Sequence, residues 1–174
     1  SPAGGRGTQQ PDVLQAASKQ GSLKNRPTAH PHKETHMPFF TPVKTLPEGT
    51  VYFTDLAPVQ DFSDWLAEFD VLLDKHQNSL FATVCAPMRL QKSDEQRIAD
   101  RKTYLAWIKA RQPQLGARCI AMLLIEPDPP QLDLMREQSS KLAPSLGVNY
   151  IVEADETAAL ERAEAALKQA FQAA

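Results

Sequence analysis

From Phe39 onward, short β-branched or aromatic runs alternate with longer stretches in which apolar residues recur every three or four positions. The run Gly-Thr-Val-Tyr-Phe-Thr-Asp at 49–55, bounded by Pro47 and Pro58, predicts a strand, and residues 39–43 predict a shorter one that pairs with it across Leu-Pro-Glu-Gly. Asp61 opens a helix whose stripe is Phe62, Trp65, Leu66, Phe69, Leu72 and Leu73, with Asp64, Glu68 and Asp74 off it. Residues 79–85 predict the next strand. Ser93, with Gln96 three positions on, reads as a capping box. It opens a long helix with Ile98, Tyr104, Leu105, Trp107 and Ile108 on its apolar side and Pro113 after its end. Residues 117–125 are almost continuously apolar, as in a strand covered on both faces. A helix over 132–142, stopped by Pro144 and Gly147, a strand over 148–152 and an Ala-rich helix from Asp155 to about Ala170 complete the series. The order β-α-β-α-β-α-β-α, with one strand in front, predicts an α/β fold. It has four or five mostly parallel strands and about four packing helices.

Residues 1–36 break this pattern. They hold four of the seven glycines, three of the four histidines, five Lys/Arg against two Asp/Glu, and no aromatic residue. Such a segment cannot bury enough apolar surface to offset the entropy lost on ordering, so a disordered tail is expected. The pair His36-Met37 resembles a cloning junction ahead of an initiator methionine, and part of the tail reads as an appended leader; a native, mildly basic arm is the alternative. The tail has no apolar core of a secretory signal. Residues 37–174 then form a single domain with 14 Lys/Arg, 19 Asp/Glu and all twelve aromatics. The net charge of −2 is thus +3 in the tail and −5 in the domain, which gives no reason to expect nucleic-acid binding. No run of 18 apolar residues is present, so no membrane-spanning helix is expected. Two cysteines, Cys85 and Cys119, make neither a disulfide framework nor a four-ligand zinc site by themselves.

Ligands of open α/β sheets collect at the carboxyl ends of strands. Those ends place Thr54, Asp55, Cys85, Arg89, Glu126, Asp128, Glu153 and Asp155 at one rim. Asp55, Glu126 and Asp128 are the candidate set for a divalent metal or for phosphate acceptance, as in receiver domains. Structural tasks compete with that reading: Asp55 leads a loop, Asp128 precedes prolines and Asp155 caps a helix. Gly49, Gly116 and Gly147 are the glycines of the domain and none sits in a Gly-rich turn, so neither a Rossmann nor a P-loop cradle is expected; Lys92-Ser93 lacks the preceding glycines. No motif calls for a cofactor. The one histidine of the domain, His76, falls at the opposite end of the sheet from Cys85, which speaks against a Cys-His pair. Cys119, Trp65 and Trp107 read as core residues. Ser93, at a helix amino end, is a possible phosphosite as well as a cap. With Arg89, Arg97 and Arg101 it forms the candidate face for an acidic partner.

From Thr50 to Leu167 the layout resembles the STAS-like group of small domains, related in shape to the anti-sigma factor antagonists and to SEC14-like modules. Four pieces carry it: a strand followed by Ala-Pro-Val-Gln-Asp-Phe and a helix; a strand with Arg89 just past its end; a long helix ending Ala-Trp-Ile-Lys-Ala-Arg and leading through Arg118-Cys119 into the apolar strand; and the helix from Asp155. The resemblance implies a cytoplasmic, bacterial-type regulatory or adaptor domain without enzymatic activity, working through a protein partner. It places Ser93 where such domains are phosphorylated. The loop at 86–92 departs from that pattern, because the phosphorylated antagonists have a short Asp-Ser loop with glycine. Two other expectations stand beside this one: a phospho-receiver or magnesium-dependent enzyme using Asp55, Glu126 and Asp128, and a carrier of a small apolar ligand. Homodimerisation stays open.

Overall fold

The computed structural model describes residues 37–89 and 91–173; the expected tail, 1–36, lies outside the described residues. Five strands lie side by side in chain order: β1 (Phe40–Leu46), β2 (Gly49–Thr54), β3 (Phe81–Cys85), β4 (Cys119–Ile125) and β5 (Tyr150–Glu153). The first two form the expected antiparallel hairpin, with Leu46 opposite Gly49, and the remaining steps are parallel. Each parallel step needs a crossover helix: α1 (Phe62–Lys75), α2 (Asp94–Arg118) and α3 (Pro129–Leu146), with α4 (Glu156–Ala173) following β5. From Met37 onward this is one compact unit. None of its helices is long and apolar enough to cross a membrane.

Because the strand order never reverses, the three crossover helices share one face of the sheet and α4 alone covers the other. The two apolar clusters follow that division. On the three-helix side, Tyr52, Phe81 and Met122 meet Trp65, Phe69, Leu72, Trp107, Ile108 and Leu115. On the other, Val51, Ala82, Val84 and Ala121 meet Ala159, Ala163 and Leu167, one four-residue stripe of α4. Small residues on both sides let this helix lie close to the strands. The closest approach is at the hairpin, where a Cβ on Gly49 would stand 2.5 Å from the Leu80 carbonyl oxygen and 2.8 Å from the Leu167 side chain. β1 is an edge strand, and Pro42, which has no N–H to offer, is tolerated there; the register break between Pro42 and Lys44 blunts the free edge.

Four expectations need correction. Pro113 does not follow the second helix; α2 runs through it to Arg118, because Leu115 is buried beside Ile108 and holds the last turns onto the core. The cost is one missing N–H donor in the ladder. Pro144 likewise lies inside α3, which ends at Gly147 in the left-handed conformation (φ 70°). Ile98, expected on the apolar side of α2, is 66% exposed. Glu68, placed off the stripe of α1, is buried, and its Oε1 accepts the backbone N–H groups of Phe39 and Phe40 at 2.9 and 2.8 Å. That carboxylate ties the start of β1 to α1.

Candidate functional site

In a doubly wound sheet the ligand crevice forms where the strand order reverses. No reversal exists here, so a cavity has to come from incomplete cover. α1 and α2 supply it. Toward the amino ends of the strands they are clamped: Asp70 of α1 accepts from Trp107 Nε1 at 3.1 Å and from Arg111 Nη2 at 2.9 Å, while the Arg111 guanidinium lies 4.9 Å from the centre of the Trp107 ring. The face of α2 turned to the sheet is Arg97, Arg101, Tyr104, Ile108 and Leu115, recurring at steps of four, three, four and seven. Its last three members reach core or half-buried positions, but its first two are arginines, exposed to solvent. No apolar side chain of the first two turns of α2 enters the space above the sheet.

What remains is a partly open cavity of about 340 Å³ over the carboxyl ends of β2, β3 and β4, at the small end of the roughly 300–1,000 Å³ range of ligand sites. Its walls are Leu56, Val59, Phe62, Trp65, Phe69 and Met122, with Thr54, Thr83 and Cys85 on the floor. Lys92, Arg97, Asp100 and Arg101 stand at the mouth. The polar atoms facing inward are largely paired. Thr54 Oγ1 accepts from Trp65 Nε1 at 2.9 Å. The Tyr104 and Tyr150 hydroxyls meet at 2.5 Å, and the Tyr104 hydroxyl lies 3.5 Å from Met122 Sδ. Burial raises both phenols well above the ordinary tyrosine value, Tyr150 to about 12. Burial, aided by the Asp55 carboxylate, pushes the Cys85 thiol up to about 12, so it is a protonated packing group rather than a nucleophile. His76 is far from any such role. Its two ring nitrogens are engaged by Tyr52 Oη at 2.8 Å and Ser79 Oγ at 2.7 Å.

The residues singled out in the sequence divide between two tasks. The Arg97 and Arg101 side chains are at the cavity mouth and make no ion pair or hydrogen bond among the described residues. Arg89 is committed instead to Glu126, through bonds of 3.1 and 2.7 Å. That contact and the Asp128 N–H hold the Glu126 carboxyl below its ordinary value, and the same pairing raises Arg89. Asp55 accepts the Ala57 N–H in a local turn. Among the described residues no group of three or more His, Cys, Asp or Glu is arranged to hold a metal, and Asp55, Glu126 and Asp128 do not converge as one. Ser93 caps α2 by accepting the Gln96 N–H at 3.1 Å; the Gln96 side chain turns to Asp100 rather than back to Ser93, so only half of the capping box is formed.

Sequence reasoning missed the cavity because Phe62, Trp65 and Tyr104 carry the spacing of core residues. The available signal was the pair of arginines on the Tyr104–Ile108 face. Lys92 was missed too: it pairs with Asp100 and sits 5.9 Å from the centre of the Phe62 ring. Comparison with family models, with curated proteins and with solved structures finds no match for this chain.

Proposed function

We propose that this domain is a non-enzymatic binding module that takes a small apolar ligand into the cavity between α1, α2 and the sheet. The observation that carries this reading is the cavity itself. A cavity of about 340 Å³ walled by three aromatic side chains, two aliphatic ones and a methionine exposes apolar surface that a stable fold normally fills. Each Å² removed from water is worth about 25 cal/mol to an occupant. The buried, unpaired thiols Cys85 and Cys119 fit a reducing compartment, which supports a cytoplasmic setting. The STAS-like resemblance belongs to the same proposal, since sequential β-α units covered by helices in this way agree with it.

A second reading, a protein-binding adaptor, rests on one observation. Arg97 and Arg101 are unpaired among the described residues and lie beside Met88, which is 42% exposed. An acidic segment would find cations and an apolar contact there. Phosphorylation of Ser93 would add charge to that rim. The metal-dependent and phospho-receiver readings have no comparable support, because Glu126 is neutralised by Arg89.

The test is native mass spectrometry of the full chain purified without detergent, followed by thermal unfolding against a panel of small apolar compounds. A ligand present at 100 times its Kd stabilises the folded state by about 2.7 kcal/mol, which raises Tm by several degrees. The variant Cys85→Phe, which fills the floor, should lose that rise while keeping its own cooperative unfolding. If no adduct is found and no compound shifts Tm, the cavity is not a ligand site.

A further inference from the structure

We propose that the ligand is a single-chain amphiphile with an anionic oxyacid head, a carboxylate or a phosphate, its apolar part in the cavity and its charge between Arg97 and Arg101. This rests on the reading above and adds the ligand's chemical class. The mouth and the walls demand opposite things of one molecule. Inside, the polar atoms of Thr54, Tyr104 and Tyr150 are already hydrogen-bonded to the protein, and apart from the Thr83 hydroxyl and the Cys85 thiol on the floor the rest of the inner lining is apolar, so the interior rewards little polarity on the occupant. At the mouth stand three cations and one anion, and Lys92 and Asp100 cancel each other at 2.5 Å. Arg97 and Arg101 remain, one helical turn apart on the same face, with no acidic partner among the described residues. That is a local excess of two positive charges on a domain whose net charge is −5.

The guanidinium identity matters. A guanidinium presents a planar fork of N–H donors that matches the paired oxygens of a carboxylate or a phosphate, whereas a lysine offers a point charge. The arginine stems extend the apolar wall outward, so the chain of the ligand stays covered up to its head. The cavity's size selects against two-chain lipids.

Calorimetric titration of the full chain with decanoate, decan-1-ol and acetate tests the assignment. Decanoate should bind roughly two- to thirtyfold more tightly than decan-1-ol, the range two solvent-exposed ion pairs supply, and acetate should not bind measurably. The double variant Arg97→Gln, Arg101→Gln changes exposed positions and should unfold normally. It should lose the preference for decanoate, while decan-1-ol affinity falls only slightly, by the apolar cover that the shorter glutamine stems no longer give. If the two ten-carbon probes bind equally to the unaltered protein, or if the double variant keeps the preference, the head assignment is wrong while the apolar-ligand reading stands. If acetate binds as tightly as decanoate, the site is an anion site without an apolar subsite, and the assignment of the chain falls. If neither ten-carbon probe binds, both proposals fall together.

Discussion

Arg89, from the loop after β3, closes two hydrogen bonds onto Glu126, the first residue beyond β4, at 3.1 and 2.7 Å. One contact thus removes an arginine from the expected partner face and a carboxylate from the expected metal set. It also links stability to pH. The Glu126 carboxyl is held below its ordinary value of 4.5, chiefly by the Arg89 hydrogen bond. Its contribution is therefore present above about pH 4.5 and lost as pH falls through the depressed folded value. His76 adds an earlier loss with the same sign: burial, then Lys75, lowers it from 6.5, so protonation below about pH 6.5 favours the unfolded chain. Urea unfolding across pH 3–8 should show both phases. Glu126→Gln should lower stability at neutral pH and flatten only the phase below about pH 4.5. A profile for Glu126→Gln parallel to that of the parent would mean that the pair contributes nothing.

Ser93 separates a cap from a switch. Its Oγ accepts the Gln96 N–H, and removing such a cap costs about 1 kcal/mol. Ser93→Ala should lower Tm accordingly. Ser93→Asp should leave it nearly unchanged, because aspartate caps as well as serine and adds favourable charge at a helix amino end. Equal losses in both variants would show that the hydroxyl does more than cap.

The fold was legible because each crossover helix has a stripe of period 3.6 and each parallel strand a β-branched or apolar run with a clear boundary. Asp61, Ser93 and Asp155 mark helix starts by accepting backbone N–H groups from Ser63, Gln96 and Ala158. Helix ends were less legible, since a proline weakens a helix without ending it when the following turn is buried, as at Leu115. The site was legible only in part. A side chain that lines a cavity and one that fills the core have the same spacing, and Trp65 does both. Glu68 shows the opposite failure: a carboxylate beside the stripe is drawn into it by two backbone donors, Phe39 just before β1 and Phe40 at its start.

Pro113 gives a prediction of the opposite sign. It lies within α2 and denies the ladder one N–H while the helix continues to Arg118. An interior proline disfavours a helix by about 3 kcal/mol against alanine, partly offset by the entropy that proline removes from the unfolded chain, about 0.4–1 kcal/mol. Pro113→Ala should therefore raise stability by about 2–2.6 kcal/mol, read from denaturant midpoints at unchanged m. A lower midpoint would mean that the proline's local geometry is required to seat Leu115.

The Tyr104–Tyr150 pair, between the cavity and α3, tests whether two polar groups lining the cavity are coupled. Their hydroxyls meet at 2.5 Å, and Tyr104 also reaches Met122 Sδ at 3.5 Å. Tyr104→Phe strands the Tyr150 hydroxyl and should cost about 1–3 kcal/mol, the penalty for an unsatisfied buried group. Tyr150→Phe leaves Tyr104 its sulfur contact and should cost less. Removing both hydroxyls leaves nothing stranded, so the double variant should be more stable than the sum of the single losses predicts, by about 1 kcal/mol. Alkaline pH should report the burial of Tyr150 separately. Burial raises Tyr150 from 10.0 to about 12, so its contribution is complete below pH 10 and disappears as pH rises toward 12. Tyr150→Phe should remove that part of the alkaline loss. Additive single losses would show that the two phenols act independently, and an unchanged alkaline profile for Tyr150→Phe would show that burial of its hydroxyl does not set the alkaline loss.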